Sequence, residues 1–244
     1  MKALQIISSI SFILLTLLKF NVFMINVDNN IVHYLFNASV MLMIFSVIFP
    51  LVSYAKLKNA NVEEERVLNQ ILKKIDPTST TRIFVSTKTL KNNAAALYRK
   101  NNMVIVVGEK LLHTLDEKQL TFLIAHEYFH IKKNHLMKNV FSFIFVLSGV
   151  PIALLITTPI IGAAVPIVPL LIFAVVIYIS FFILHFVFSR RREFQADQFA
   201  RSFVEPTDAR ETLTKLKENK LVDEKSFSLL ATHPSIEKRI SNVN

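Results

Sequence analysis

The pentapeptide His126-Glu127-Tyr128-Phe129-His130 joins two imidazoles to a carboxylate. On a helix, residues four apart share a face, so His126 and His130 can reach one metal ion. Glu127 sits one position round, where it can take a proton from an attacking water. With zinc as the ion, this is the metal-binding half of a peptide hydrolase. The plainer reading is a surface helix with two incidental histidines. A catalytic zinc has three protein ligands and an open fourth position, so a third ligand must come from elsewhere in the chain.

His135 is a poor candidate for that third place. It follows His130 by five residues and, on a continuous helix, points about 140° away. Lys133 and Leu136 stand where a metzincin would carry a glycine and a histidine. No Asp or Glu occurs between Glu127 and Glu193, so Glu193 is the first carboxylate downstream. It is expected as the ligand over His185, which lies inside an uncharged apolar run. Asp197, four residues on, shares a helical face with Glu193. It is placed either to accept the second ring hydrogen of a ligating histidine or to be an ordinary surface carboxylate. The chain has no cysteine, which excludes disulfides, thiolate metal sites and cysteine nucleophiles.

The motif requires a helix, and the flanking sequence predicts one. Asp116 with Gln119 makes a capping-box start, and apolar residues at Leu120, Leu123 and Ile124 carry the helical period to near Asn134. A short helix is expected over Glu109–Thr114. Upstream, Arg82–Ser86, Ala94–Tyr98 and Met103–Val107 read as strands of a small sheet, the last two joined as a hairpin. Residues 57–75 show helical spacing, with Glu63–Glu65 on the polar side and Asp76-Pro77 as the stop. The tail, 193–244, reads as helical.

Composition places these elements beside a membrane. Hydrophobic residues make up 52% of the 244 and charged residues 19%, against a usual charged share of about 25%. The apolar excess is clustered. Ala3–Val27 and Ile31–Tyr54 each have the length of a span, and 140–188 has no charged residue and room for two. The net charge is +10. A basic chain can bind nucleic acid, but here Lys and Arg flank the apolar runs and read as orientation signals instead. Four spans in two hairpins follow: 1–55 and 140–188 in the membrane, 56–139 and 189–244 in the cytoplasm. The expected fold is a mostly α membrane protein bearing a cytoplasmic α+β, zincin-like protease domain with a small sheet.

His126-Glu127-x-x-His130, an apolar hairpin, and then Glu193-Phe194-Gln195-Ala196-Asp197 resembles the HtpX-type membrane zinc endopeptidases, whose family includes the CAAX prenyl-protein proteases. Asn93-Ala94-Ala95-Ala96, Gly108-Glu109-Lys110-Leu111-Leu112 and Thr232-His233-Pro234-Ser235 with Arg239 extend the resemblance in order. Ala95 departs from it, since the family usually has a bulky aromatic there. The resemblance implies one zinc per chain on His126, His130 and Glu193, with Glu127 as base. It also implies that Asn93, His233 and Arg239 line the substrate cleft, His233 and Arg239 in catalytic roles. Implied partners are protein or peptide substrates, membrane proteins among them, and the lipid bilayer. The implied location is a bacterial-type inner membrane with the site and both termini cytoplasmic. Membrane-protein quality control is the expected role, with CAAX-type processing or an inactive scaffold as alternatives.

Overall fold

The computed structural model describes residues 2–19, 32–33, 35–40, 44, 62–88, 90, 92–99, 102–142, 167–219, 221 and 234–243. The chain divides into two compact units, one of Met1–Val52 with Val140–His185 and one of Ser53–Asn139 with Phe186–Asn244.

In the first unit, helix α1 spans Lys2–Lys19. The Phe12 and Phe36 rings lie 5.7 Å apart, and the Lys19 ammonium sits 4.1 Å over Phe36. Among the described residues no helix is long and apolar enough to cross a membrane. Most of the expected second span, and 143–166 of the expected second hairpin, lie outside the described residues.

The second unit is built on a four-stranded sheet. Strand β1 is Val62–Glu64, β2 Arg82–Ser86, β3 Ala94–Arg99 and β4 Asn102–Gly108, in the order β1-β2-β4-β3. β4 pairs parallel with β2 and antiparallel with β3. Val104–Gly108 are buried without alternation, as befits an inner strand covered on both faces. β1 corrects the expectation of unbroken helical structure through 57–75. Val62, Glu63 and Glu64 pair antiparallel with Ser86, Val85 and Phe84. Edge pairing overrides a helical spacing that becomes real only from α2, Arg66–Ile75. Glu65 caps α2 by accepting from the Val67 N–H, and Leu68, Ile71 and Leu72 are its buried face.

α3, Glu109–Thr114, leads into α4, Glu117–Lys132. Asp116 and Gln119 form the full capping box. Phe122–His126 are buried without a break, so this helix runs through the core. It packs on α2, β3, β4 and the later helix α7 (Pro206–Glu218). Lys133 and Asn134 turn the chain, Asn134 with φ 54°, before residues 135–142 form helix α5. α6 spans Ile167–Arg201, and α8, Ile236–Val243, closes the described chain.

Candidate metal centre

α4 and the C-terminal part of α6 bring three ligand atoms together. His126 Nε2 lies 3.1 Å from His130 Nε2 and 3.6 Å from Glu193 Oε2. His130 Nε2 lies 3.5 Å from Glu193 Oε1. Ligands about 2.0–2.1 Å from a tetrahedral zinc stand roughly 3.3–3.4 Å from one another, and these separations are compatible with a zinc site. Among the described residues, this is the His, Asp and Glu group close enough to share an ion. The rival His185 instead meets Ser142, its Nδ1 2.9 Å from the Oγ.

His126 is fixed from behind. Its Nδ1–H donates to Asp197 Oδ1 at 2.9 Å. Asp197 is fully buried and accepts from Arg239 Nη2 and Nε at 2.7 and 2.8 Å, a two-point grip. Arg239 is itself buried, and the structure puts its guanidinium behind the ligands rather than in an open cleft. Burial opposes its charge, but Asp197, Glu193 and Glu127 raise its pKa above the usual arginine range. Burial likewise pushes the Asp197 pKa up, and Arg239 and His126 together bring it below the usual carboxylate value. For His126, burial disfavours the imidazolium, yet Asp197 and Glu193 raise its pKa to about 10.

The donor set fits a divalent zinc on charge as well as distance. Asp197, Glu193 and Glu127 all act on the buried guanidinium of Arg239, so carboxylates outnumber it there. A carboxylate and two imidazoles are a zinc hydrolase's ligand types.

His130 is braced from the other side, where the sequence offered no partner. Its Nδ1 lies 3.0 Å from His135 Nδ1. The straight-helix assumption fails at Lys133-Asn134. Asn at a helix end tolerates the left-handed conformation, and that was the available signal. Asn93 stands exposed at the start of β3. Its side chain accepts from the Ala94 N–H at 2.8 Å, and its carbonyl accepts from the Gly108 N–H at 2.8 Å. His233 lies outside the described residues.

Comparison with known proteins agrees with this geometry. Residues 56–244 match the model of peptidase family M48. Ste24p of S. mikatae has a similar solved structure, with a TM-score of 0.62 and 18% identity. The match covers 96% of this chain and 62% of that one, so the chain spans under two thirds of that protein's length. No curated protein matches. With most of its length matched by the family model, the chain belongs to peptidase family M48, a family of metallopeptidases.

Proposed function

We propose that the chain is a membrane-embedded zinc endopeptidase whose ion is held by His126, His130 and Glu193. The observation that carries this reading is the clustering of His126, His130 and Glu193, the two Nε2 atoms 3.1 Å apart and each within 3.6 Å of one of the Glu193 carboxylate oxygens. A bound zinc would polarise the scissile carbonyl and make water a stronger acid. Glu127, next to the first ligand and half-buried, takes the proton of the attacking water and passes it to the leaving amine. Asp197 holds the ring of His126 in the tautomer that keeps Nε2 free of hydrogen, and Arg239 holds Asp197. β3 is one of the two outer strands of the sheet, so an extended substrate can add along it beside Asn93. His233 keeps the role that the resemblance implies, towards the developing oxyanion, whereas Arg239 acts through Asp197 instead of lining the substrate cleft.

Substrates are proteins or peptides, and the membrane reading makes membrane proteins the natural class. Two features support that reading. The apolar runs are flanked by Lys and Arg at 56–58, 132–138 and 190–192, which puts both termini and the site on the cytoplasmic side. Large apolar side chains of α6 also stand exposed, Ile172, Val175, Val176 and Ile179 among them. Bilayer thickness and length give four spans. Quality control of membrane or misfolded proteins is the first role. CAAX-type processing is the second, supported by the likeness of fold to Ste24p, and prenylated against unprenylated peptides separates the two.

The test is zinc analysis with casein cleavage, wild type against Glu127→Gln and His130→Ala. Wild type should bind one zinc. Glu127→Gln should keep it and lose about 10²–10⁴-fold in rate, as for a general base. His130→Ala should lose both. Equal zinc loss in the two variants contradicts the division of roles.

A further inference from the structure

We propose that His135 is a positioning residue for the ligand His130, its Nδ1 accepting the Nδ1–H of that ring. The inference rests on the metal-site reading above and deepens it. The two Nδ1 atoms are 3.0 Å apart, a distance at which one donates and the other accepts. A neutral imidazole carries its hydrogen on one nitrogen only. If His130 carried it on Nε2, the hydrogen would occupy the space shared with His126 Nε2, 3.1 Å away, and with Glu193. The tautomer of His130 that can ligate therefore has its hydrogen on Nδ1, directed at His135. A ligating ring oriented in this way by a second residue is a general feature of zinc sites.

The backbone is shaped to make this contact. A helix continued past Lys132 would carry residue 135 about 140° away from residue 130. Instead Asn134 takes φ 54°, and a new helical segment starts at His135. A non-glycine residue in the left-handed region is uncommon, with Asn the best tolerated. His135 is 3% exposed, and its ring meets Phe129 edge-on at 5.3 Å, which holds the imidazole plane still. The arrangement gives each ligating histidine its own acceptor: the Asp197 carboxylate for His126 and a neutral-ring nitrogen for His130.

The experiment measures zinc affinity of the purified full chain by competition with a chromophoric chelator. Wild type, His130→Ala, His135→Phe and His135→Asn are compared, with melting temperatures of the metal-free proteins. His135→Phe keeps the ring packing and removes the acceptor, so affinity should fall about 10–100-fold. His135→Asn keeps an acceptor oxygen near the Nδ1 position and should recover most of that loss. Wild-type affinity in His135→Phe, or an equal loss in both His135 variants, overturns the proposal. A nitrogen-15 imidazole spectrum of the zinc-loaded wild type needs no variant to fold. It should show the proton on Nδ1 of His130 and none on Nδ1 of His135, and the reverse pattern overturns the assignment. A wild type without zinc overturns both the site and this inference. Zinc lost in His130→Ala but kept in His135→Phe overturns this inference alone.

Discussion

The same residue types are treated oppositely in the two units. In the unit of Ser53–Asn139 and Phe186–Asn244, Ile83, Ile105 and Ile124 are each 0% exposed. In the other, Ile172 is 61% exposed and Val175 and Val176 are each 56% exposed. There, Val32 and Val140 are the buried apolar side chains among the described residues. The unit of Ser53–Asn139 and Phe186–Asn244 makes its own apolar interior, from a sheet covered by helices. The unit of Met1–Val52 and Val140–His185 turns large apolar side chains outward. The candidate metal site sits in the unit that packs its own interior, where the buried Asp197–Arg239 pair has fixed partners.

That pair is also where the self-sufficient unit is most easily broken. Asp197→Ala strands a buried guanidinium and unlocks His126. Removing one partner of a buried ion pair costs about 3–5 kcal/mol. The variant should lose zinc and melt at a markedly lower temperature in detergent. Unchanged melting would mean that water reaches Arg239 and that the unit is less closed than its burial indicates.

Truncations test the comparison itself. Ile105→Ala removes buried methyl groups from the sheet and should cost about 2–5 kcal/mol. Ile172→Ala removes an exposed side chain and should stay within about 0.5 kcal/mol. Similar losses, read from denaturation midpoints, would mean that Ile172 is packed in the working protein and the contrast is false.

Acidity gives a smaller effect with a definite sign. In the ion-free protein the pKa of His126 stands at about 10, above an unfolded value of about 6.5. A raised folded-state value means that the proton favours the folded form. The contribution is complete below about pH 6.5 and fades as pH rises towards about 10. Chelator-treated protein should therefore lose stability across that window. Zinc competes with the same proton, so its affinity should rise over the same interval. A zinc affinity flat with pH would show His126 already neutral.

Much of the self-packed unit is written locally. The strands from Arg82 and near Met103 follow from β-branched runs, the strand from Ala94 pairs with the latter as the expected hairpin, and the Asp116–Gln119 box marks the start of the helix that carries the motif. Motif spacing singled out His126, Glu127 and His130, and elimination singled out Glu193. What was not legible depends on partners distant in sequence. β1 is three residues inside a helical spacing and exists because Ser86, Val85 and Phe84 offer an edge. The parallel pairing of β2 with β4 leaves no trace in either strand. His135 was misplaced because one left-handed residue redirects everything after it. The apolar unit is the reverse case: hydropathy marks its runs clearly, while their packing has no local signature.

The smallest expected effect concerns how the metal helix is tied to its neighbour. Tyr128, between His126 and His130, donates from its hydroxyl to Asp76 Oδ2 at 2.6 Å, and Lys132 reaches the same oxygen at 3.3 Å. Asp76 ends α2, where Thr78 and then Tyr128 hold its pKa well below the usual carboxylate range. Burial raises the Tyr128 pKa, and the Asp76 carboxylate raises it further, so the phenol stays a donor at neutral pH. Tyr128→Phe keeps the ring and deletes the hydrogen bond. One lost bond in a domain of this size should lower the melting temperature by only a few degrees. A carboxylate whose folded pKa is depressed stabilises the fold above its unfolded value, near about 3.9, and that part disappears as pH falls below it. The gap between Tyr128→Phe and wild type should thus be full at neutral pH and close on acidification through the carboxylate range. Zinc content should not change, because neither residue touches a ligand nitrogen. A gap that persists in acid would assign the effect to packing of the ring edge, and zinc loss would show that this tie sets the register of His126 and His130.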